Sequence, residues 1–222
     1  MSYKRSSLME ERLADNRQRI LKAARALVAE GGFHHASIAA VAASAGLSAG
    51  AIYRYFPSKA ALFVEMLAEA VAHEVAILRA IEQGKGSVTS RLGAAVESFA
   101  NRALEGPYLA YAFIAEPAEE EVDEARLLAR QQFGEVFKSL LIEGIKSGEF
   151  PQQSVDIGAA CIVGAFTEAL VRPIAPKAKR EARPELVEAI VAFCLRAVGA
   201  ARPLKSIRAA IRKPRGASRK EA

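Results

Sequence analysis

Residues 37–56 read SIAAVAASAGLSAGAIYRYF, and the placing of capping, small and apolar residues in this stretch decides the fold. Ser37 is placed to cap a short helix, Ile38 to Ala45, which Gly46 ends. Ser48 is placed to cap a second helix from Ala49 to about Tyr55, and Pro57 closes it. The turn between them, Ala45-Gly46-Leu47, is sharp enough to call for a positive φ, a region that glycine enters at little cost. Two short capped helices around a tight turn are the layout of a helix-turn-helix. In that layout Ile38, Val41, Leu47, Ile52 and Phe56 point inward, and Ala42 is small enough to let the helices approach. Ser48, Ala49, Gly50, Ala51, Tyr53, Arg54 and Tyr55 remain outward, a slim surface that can enter a major groove. The tyrosine hydroxyls, Ser48 and Lys59 can hold phosphates. An ordinary helical hairpin, with its aromatics in the core, fits the same pattern.

On the amino-terminal side, Leu13, Ile20, Leu21, Ala24, Leu27 and Val28 fall on one face of a helix over Leu8–Glu30, stopped by Gly31-Gly32. On the carboxy-terminal side, Ser58 opens a long helix from Lys59 to about Gln83, with Leu62, Met66, Val71, Val75 and Leu78 on its buried side. Further helices are expected near 87–105, 107–115, 118–147, 153–172 and 184–200, with a short one around Ile207 to Ile211. Glycine and proline punctuate them, and nothing reads as a βαβ unit. The fold class is therefore all-α. The expected organisation is a helix-turn-helix domain over 1–60, a second helical domain over 61–201, and a basic tail over 202–222.

The composition agrees. In 222 residues, 51% are apolar and 25% charged, enough to bury a core, and the 7% aromatic content without tryptophan favours helix over strand. The net charge of +6 is segregated: residues 1–60 carry +5, 61–200 carry −6 and 201–222 carry +7. Basic ends around an acidic middle suit nucleic acid at the ends, or simple solubility. The longest stretch without Asp, Glu, Lys or Arg, Gly31 to Tyr53, is too rich in Gly, Ser and His for a bilayer span. No export signal is visible at the charged start, so a cytoplasmic protein without a membrane partner is expected. Cys161 and Cys194 lie in apolar runs, and no disulfide is expected.

The stretch from Gly32 to Phe63, GFHHASIAAVAASAGLSAGAIYRYFPSKAALF, resembles the amino-terminal signature of the TetR family of bacterial transcriptional regulators. Ser37, Ala45-Gly46-Leu47-Ser48, Gly50, Ile52-Tyr53, Tyr55-Phe56 and Ser58-Lys59 with Leu62 carry the likeness. The resemblance implies that Ser37, Ser48, Tyr53, Tyr55 and Lys59 grip the sugar-phosphate backbone of double-stranded DNA, while Ala49, Gly50, Ala51 and Arg54 face the bases. Ala51 replaces the family's usual threonine, removing a hydroxyl from that surface. Arg54 suits the O6 and N7 acceptors of guanine, and it suits a phosphate equally well.

The resemblance also implies a carboxy-terminal half that receives a small-molecule effector, dimerises through its last two long helices, and relays ligand binding by movement of the fourth helix. From the residues themselves, Phe99, Tyr108, Tyr111, Phe113, Phe133 and Phe137, with Arg102 and Glu116 as polar handles, are candidate walls of an effector pocket or plain core. The segments VDIGAACIVGAFTEALV and LVEAIVAFCLRAV are more apolar than one intramolecular neighbour requires. Ile162, Phe166, Leu170, Ile190, Phe193 and Cys194 are accordingly candidate residues of a homodimer interface.

Other chemistries find little support. The acidic run Glu116, Glu119, Glu120, Glu121, Asp123 and Glu124 fits a solvated helix start better than a metal site, and Glu65, Glu69 and His73 fit exposed ion pairing. No nucleophile elbow, dinucleotide fingerprint or Walker sequence is present; Gly84-Lys85-Gly86-Ser87 lacks the earlier glycine and the strand. No enzyme activity, cofactor or metal is expected. The competing expectation is a sequence-independent nucleic-acid-coating or scaffold protein that uses its basic tail, whose binding would be strongly salt-dependent.

Overall fold

The helix propensity of the alanine-rich runs is realised along the chain. The computed structural model describes residues 2–178 and 183–200, and among the described residues it contains nine helices and no strand. They are α1 (Ser2–Gly31), α2 (Ile38–Ala45), α3 (Ala49–Ile52), α4 (Lys59–Glu82), α5 (Val88–Glu105), α6 (Pro107–Ile114), α7 (Glu120–Lys146), α8 (Val155–Ile174) and α9 (Arg183–Ala197). The helix expected around Ile207 and the basic tail over 202–222 lie outside the described residues.

Two apolar clusters organise the chain. The first joins Ile20, Leu21, Ala24 and Val28 of α1 to Val41 of α2, Ile52 of α3, Phe56, and Leu62, Phe63 and Met66 of α4. Ala112 of α6 and Val122 of α7 also belong to it, so the amino-terminal core is completed by residues from far along the sequence. The second cluster is built on α5, α7, α8 and α9 and takes in Leu67, Val71 and Leu78 of α4. One helix thus serves both cores, its first turns in the amino-terminal one and its middle in the other.

Two elements differ from expectation. α1 begins at Ser2 rather than Leu8, because no glycine or proline interrupts the run before it. Leu13 is 45% exposed instead of buried, because this part of α1 lies outside the amino-terminal cluster. α3 is regular only over Ala49–Ile52, and residues 53–55 continue as turns, closed by the bond from the Phe56 amide to the Ile52 carbonyl at 3.0 Å. Pro57 disfavours helical geometry at Phe56, so the segment does not resume as helix beyond these turns.

α8 is long and apolar enough to cross a bilayer by length and composition. One face of it instead forms protein core, with Ile162, Phe166 and Leu170 buried against neighbouring helices. Cys194 is buried as well, and burial pushes its thiol up to about 11. Cys161 is exposed, and both cysteines are free.

Candidate nucleic-acid interface and cavity

The caps take the places that their residue types call for. The Ser37 hydroxyl accepts from the Ala40 amide at 3.1 Å, Ser48 from Ala51 at 3.2 Å and Ser58 from Ala61 at 3.0 Å. Each such cap is worth about 1 kcal/mol, and each hydroxyl keeps its own proton to donate outward. Gly46 ends α2 at φ +66°, with its amide directed to the carbonyls of Ala42 and Ala43. A side chain there would be strained by the backbone and would meet Arg19 Nη2 at 3.2 Å.

Ser37, Ser48, Ala49, Gly50 and Arg54 are exposed, and Tyr53 is 56% exposed. A Cβ added at Gly50 would meet no atom within 4 Å, so nothing inside the chain demands glycine at this point. Ala51 is half-buried, and so is Lys59, whose Nζ sits 5.0 Å from the centroid of the Phe63 ring. Tyr55 departs from the outward placement expected of it. Its ring is half-buried against the amino-terminal core, and its hydroxyl accepts from Asn16 Nδ2 at 3.0 Å.

The polar residues of α1 that hold this surface in place were not singled out from the sequence. Arg17 Nε donates to Glu65 of α4 at 2.6 Å, its Nη1 donates to the Tyr55 carbonyl at 2.9 Å, and its guanidinium lies 4.5 Å from the centroid of Phe56. Arg19 Nη2 donates to the Ala45 carbonyl at 2.7 Å, at the turn itself. Charge-assisted bonds from α1 therefore hold both ends of the reading segment, and Arg17 joins the Tyr55 end to α4 as well. No local periodicity marks Arg17 or Arg19, since their partners lie 48 and 26 residues away.

A cavity of about 430 Å³ lies next to this domain, walled by α4, α5, α6 and α7, with Arg25 of α1 and Thr167 of α8 at its edge. Phe99, Arg102, Phe113 and Phe133 line it, together with Leu67, Val71 and Ile114. Tyr108, Tyr111 and Phe137 do not line it: the two tyrosines are half-buried elsewhere on α6, and Phe137 is core, its ring centroid 5.5 Å from that of Phe166. Arg102 is engaged by Glu74, at 2.9 Å from Nε and 2.6 Å from Nη2. Arg25, His73, Arg126 and Arg130 add further cationic or titratable groups to the lining.

Glu116 is not in the cavity wall. Its carboxylate accepts from the Phe33 amide at 3.0 and 3.1 Å and lies 3.2 Å from His34 Nδ1, tying the segment after α6 to the turn after α1. Gly32, at φ +83°, makes this approach possible, because a Cβ there would stand 2.6 Å from a Glu116 oxygen. Behind the latch lies Arg126, only 7% exposed. Its Nη1 pairs with Asp123, its Nη2 donates to the carbonyls of Ala112 and Glu116, and its guanidinium is 5.7 Å from the centroid of Phe33. Its Nε is buried without a hydrogen-bond partner, a state that costs about 1–3 kcal/mol for a typical donor. Glu116 and Asp123 of the acidic run thus have specific partners, and Glu65 is held by Arg17.

The dimer candidates divide. Ile162, Phe166, Leu170, Ile190 and Cys194 are buried within the single chain, because the chain's own helices cover that side of α8 and α9. Phe193 is 54% exposed. On α8 the exposed positions include Gly164, one of the small residues expected to permit close helix approach, and Ile157 at 65% exposure and Cys161, which the sequence reading did not place at an interface; the three follow one another at helical spacing.

Residues 20–66 match the family described as bacterial regulatory proteins, tetR family. The chain is similar to the HTH-type transcriptional repressor KstR of Mycolicibacterium smegmatis, with 42% identity over 62 residues, which is 28% of this chain and 30% of that protein. The match therefore spans about a third of that relative's length. Similarity to the fatty acid metabolism regulator protein of Bacillus subtilis extends further, at 25% identity over 64% of this chain and 73% of that protein. The crystal structure of the transcriptional regulator FadR from Bacillus subtilis in complex with stearoyl-CoA shares the fold. Its TM-score is 0.70 at 20% identity, over 83% of this chain and 99% of that one.

Proposed function

Since its amino-terminal domain is that of the tetR family of bacterial regulatory proteins, we propose that this chain is a ligand-responsive transcriptional regulator rather than an enzyme. As a homodimer it reads a palindromic operator, represses there, and lets go when a small molecule enters the cavity. We divide it into a reading head over 1–60, an effector and dimer domain over 61–201 and a basic tail over 202–222. Chromosomal DNA places such a protein in the cytoplasm.

The observation that carries this reading is the exposed, small-residue start of α3. At Gly50 the interior makes no demand for glycine, so smallness there serves an approaching surface, and the adjacent Tyr53 and Arg54 are free to contact phosphate or base. Ser37, Ser48 and Lys59 flank the same surface as phosphate-contacting groups. Dimerisation through Ile157, Cys161, Gly164 and Phe193 would present two such heads at half-sites one or more DNA turns apart. Stearoyl-CoA in the Bacillus subtilis structure supports the assignment of the cavity to an effector.

The test is selection from a random duplex pool at near-physiological salt, with sedimentation of the protein alone and on the recovered DNA. An enriched inverted repeat bound by two copies is expected. Enrichment of no sequence, or binding by a single copy to an asymmetric site, would refute the dimeric operator reading.

A further inference from the structure

We propose that the cavity's ligand is an amphipathic molecule bearing a forked oxyanion, a carboxylate or its like, and that Arg126 both binds this group and passes its arrival to the reading head. The inference rests on the cavity being the effector site and adds the chemistry of recognition and the route of coupling.

The lining is apolar over Leu67, Val71, Phe99 and Phe133, which suits a hydrocarbon or ring body. Its arginines are not equivalent. Arg102 already holds the Glu74 carboxylate and the Ser98 hydroxyl, while Arg25 and Arg130 are solvent-exposed. Arg126 combines burial with an unsatisfied donor, the Nε, which has almost no accessible surface, so a ligand must displace what covers it to reach it. An uncharged apolar ligand would leave that donor as it is. A forked oxyanion would satisfy it through the Nε–Nη2 edge of the guanidinium, the geometry that Glu74 uses on Arg102.

That edge is not wholly free. Nη2 has two protons, and both the Ala112 and the Glu116 carbonyls now accept from it. A ligand that takes the edge must share or displace one of these carbonyls. Ala112 is buried in the core of the reading domain, and the Glu116 side chain holds the Phe33 amide. The ligand's anion and the reading domain therefore compete for one guanidinium, so binding loosens the α6 end from the turn after α1. A ligand shifts the head only through such a difference between states.

The test uses the full-length protein and the fluorescence of 8-anilinonaphthalene-1-sulfonate, displaced in turn by decanoate and by decan-1-ol. Decanoate should displace the dye at a concentration lower by about tenfold or more, the scale of one charge-assisted hydrogen bond. Arg126→Lys keeps the charge but lacks the fork, and should erase most of that preference, read as the ratio of the decanoate and decan-1-ol displacement midpoints within the variant. In the wild-type protein, decanoate but not decan-1-ol should speed hydrogen exchange of the Phe33 amide. Equal displacement by the two probes, a preference that survives in Arg126→Lys, or an unmoved Phe33 amide would overturn the proposal. Ala110→Phe, at a half-buried wall position, should weaken dye and decanoate together. If it weakens them while no headgroup preference exists, only the Arg126 inference falls; if it leaves them unchanged, the cavity reading falls too. Should Arg126→Lys lose its far-ultraviolet dichroism, the two wild-type measurements still decide.

Discussion

The reading head and the effector half solve the same problem, burial of helices, with different information. In the head, the helices that form the reading surface are short and each end is marked in the sequence: Ser37, Gly46, Ser48, Pro57 and Ser58 occupy cap and stop positions, and the structure uses them as such. In the effector half the helices are long and apolar on several sides, so their ends are marked but their buried sides are not. Local punctuation is enough to specify a reading surface. It cannot say which side of a greasy helix is inside.

The largest expected effects separate the two regions by function. Phe56→Ala removes a fully buried ring from beneath Arg17 and should cost about 3–5 kcal/mol, abolishing DNA binding. Phe166→Ala empties an equally buried site in the other core and should cost a similar amount while disturbing ligand binding first. Thermal unfolding paired with DNA and dye titrations checks both. Identical loss of DNA and ligand binding in the two variants would show that the cores behave as one unit, bound together through α4.

The next effect lies on the reading surface. Arg54→Ala should lose about 1–3 kcal/mol of discrimination at one base position if the guanidinium reads a base, whereas Lys59→Ala should weaken every duplex alike. Affinities on single-base variants of a selected duplex distinguish these outcomes. A uniform loss from Arg54→Ala would assign it to the phosphates. Ser48→Ala comes lower, at about 1 kcal/mol of stability from the lost cap, with an added loss of DNA affinity if its outward proton meets a phosphate.

The smallest effect sharpens the contrast from the effector side, where a carboxylate rather than a serine supplements a helix start. Burial raises the Glu149 carboxyl, but donation from the Val88 and Thr89 amides outweighs this and holds it below its ordinary value of 4.5. A depressed value means that the stability it contributes is present above pH 4.5 and is lost as the pH falls through the lower folded value. Melting temperatures of Glu149→Gln and wild type should therefore differ at neutral pH and converge in acid. A gap that persists in acid would assign the effect to shape rather than charge.

These contrasts also say what was legible in the sequence. The all-helical fold and the helix-turn-helix followed from caps and spacing, whereas aromatic placement left Phe99, Arg102, Phe113 and Phe133 open between cavity wall and plain core, and it is the structure that puts them around a cavity. The inner side of α8 was misjudged, since composition cannot tell a helix covered by its own chain from one covered by a copy. Arg17, Arg19 and Glu116 escaped as structural ties because each meets backbone or side-chain groups distant in sequence, and of the partners of Arg126 only Asp123 stands at a helical spacing. Tyr55 was placed outward because its partner Asn16 lies 39 residues away.

The central claim is that sequence is read by the head and not by the basic tail. Its most direct test is the ratio of affinities for the selected duplex and a scrambled duplex, measured at near-physiological salt for the full chain and for a chain ending at Ala201. A ratio on the order of 10³ or more, retained without the tail, is the predicted result. Loss of most binding together with the tail, with no preference between the two duplexes, would contradict it.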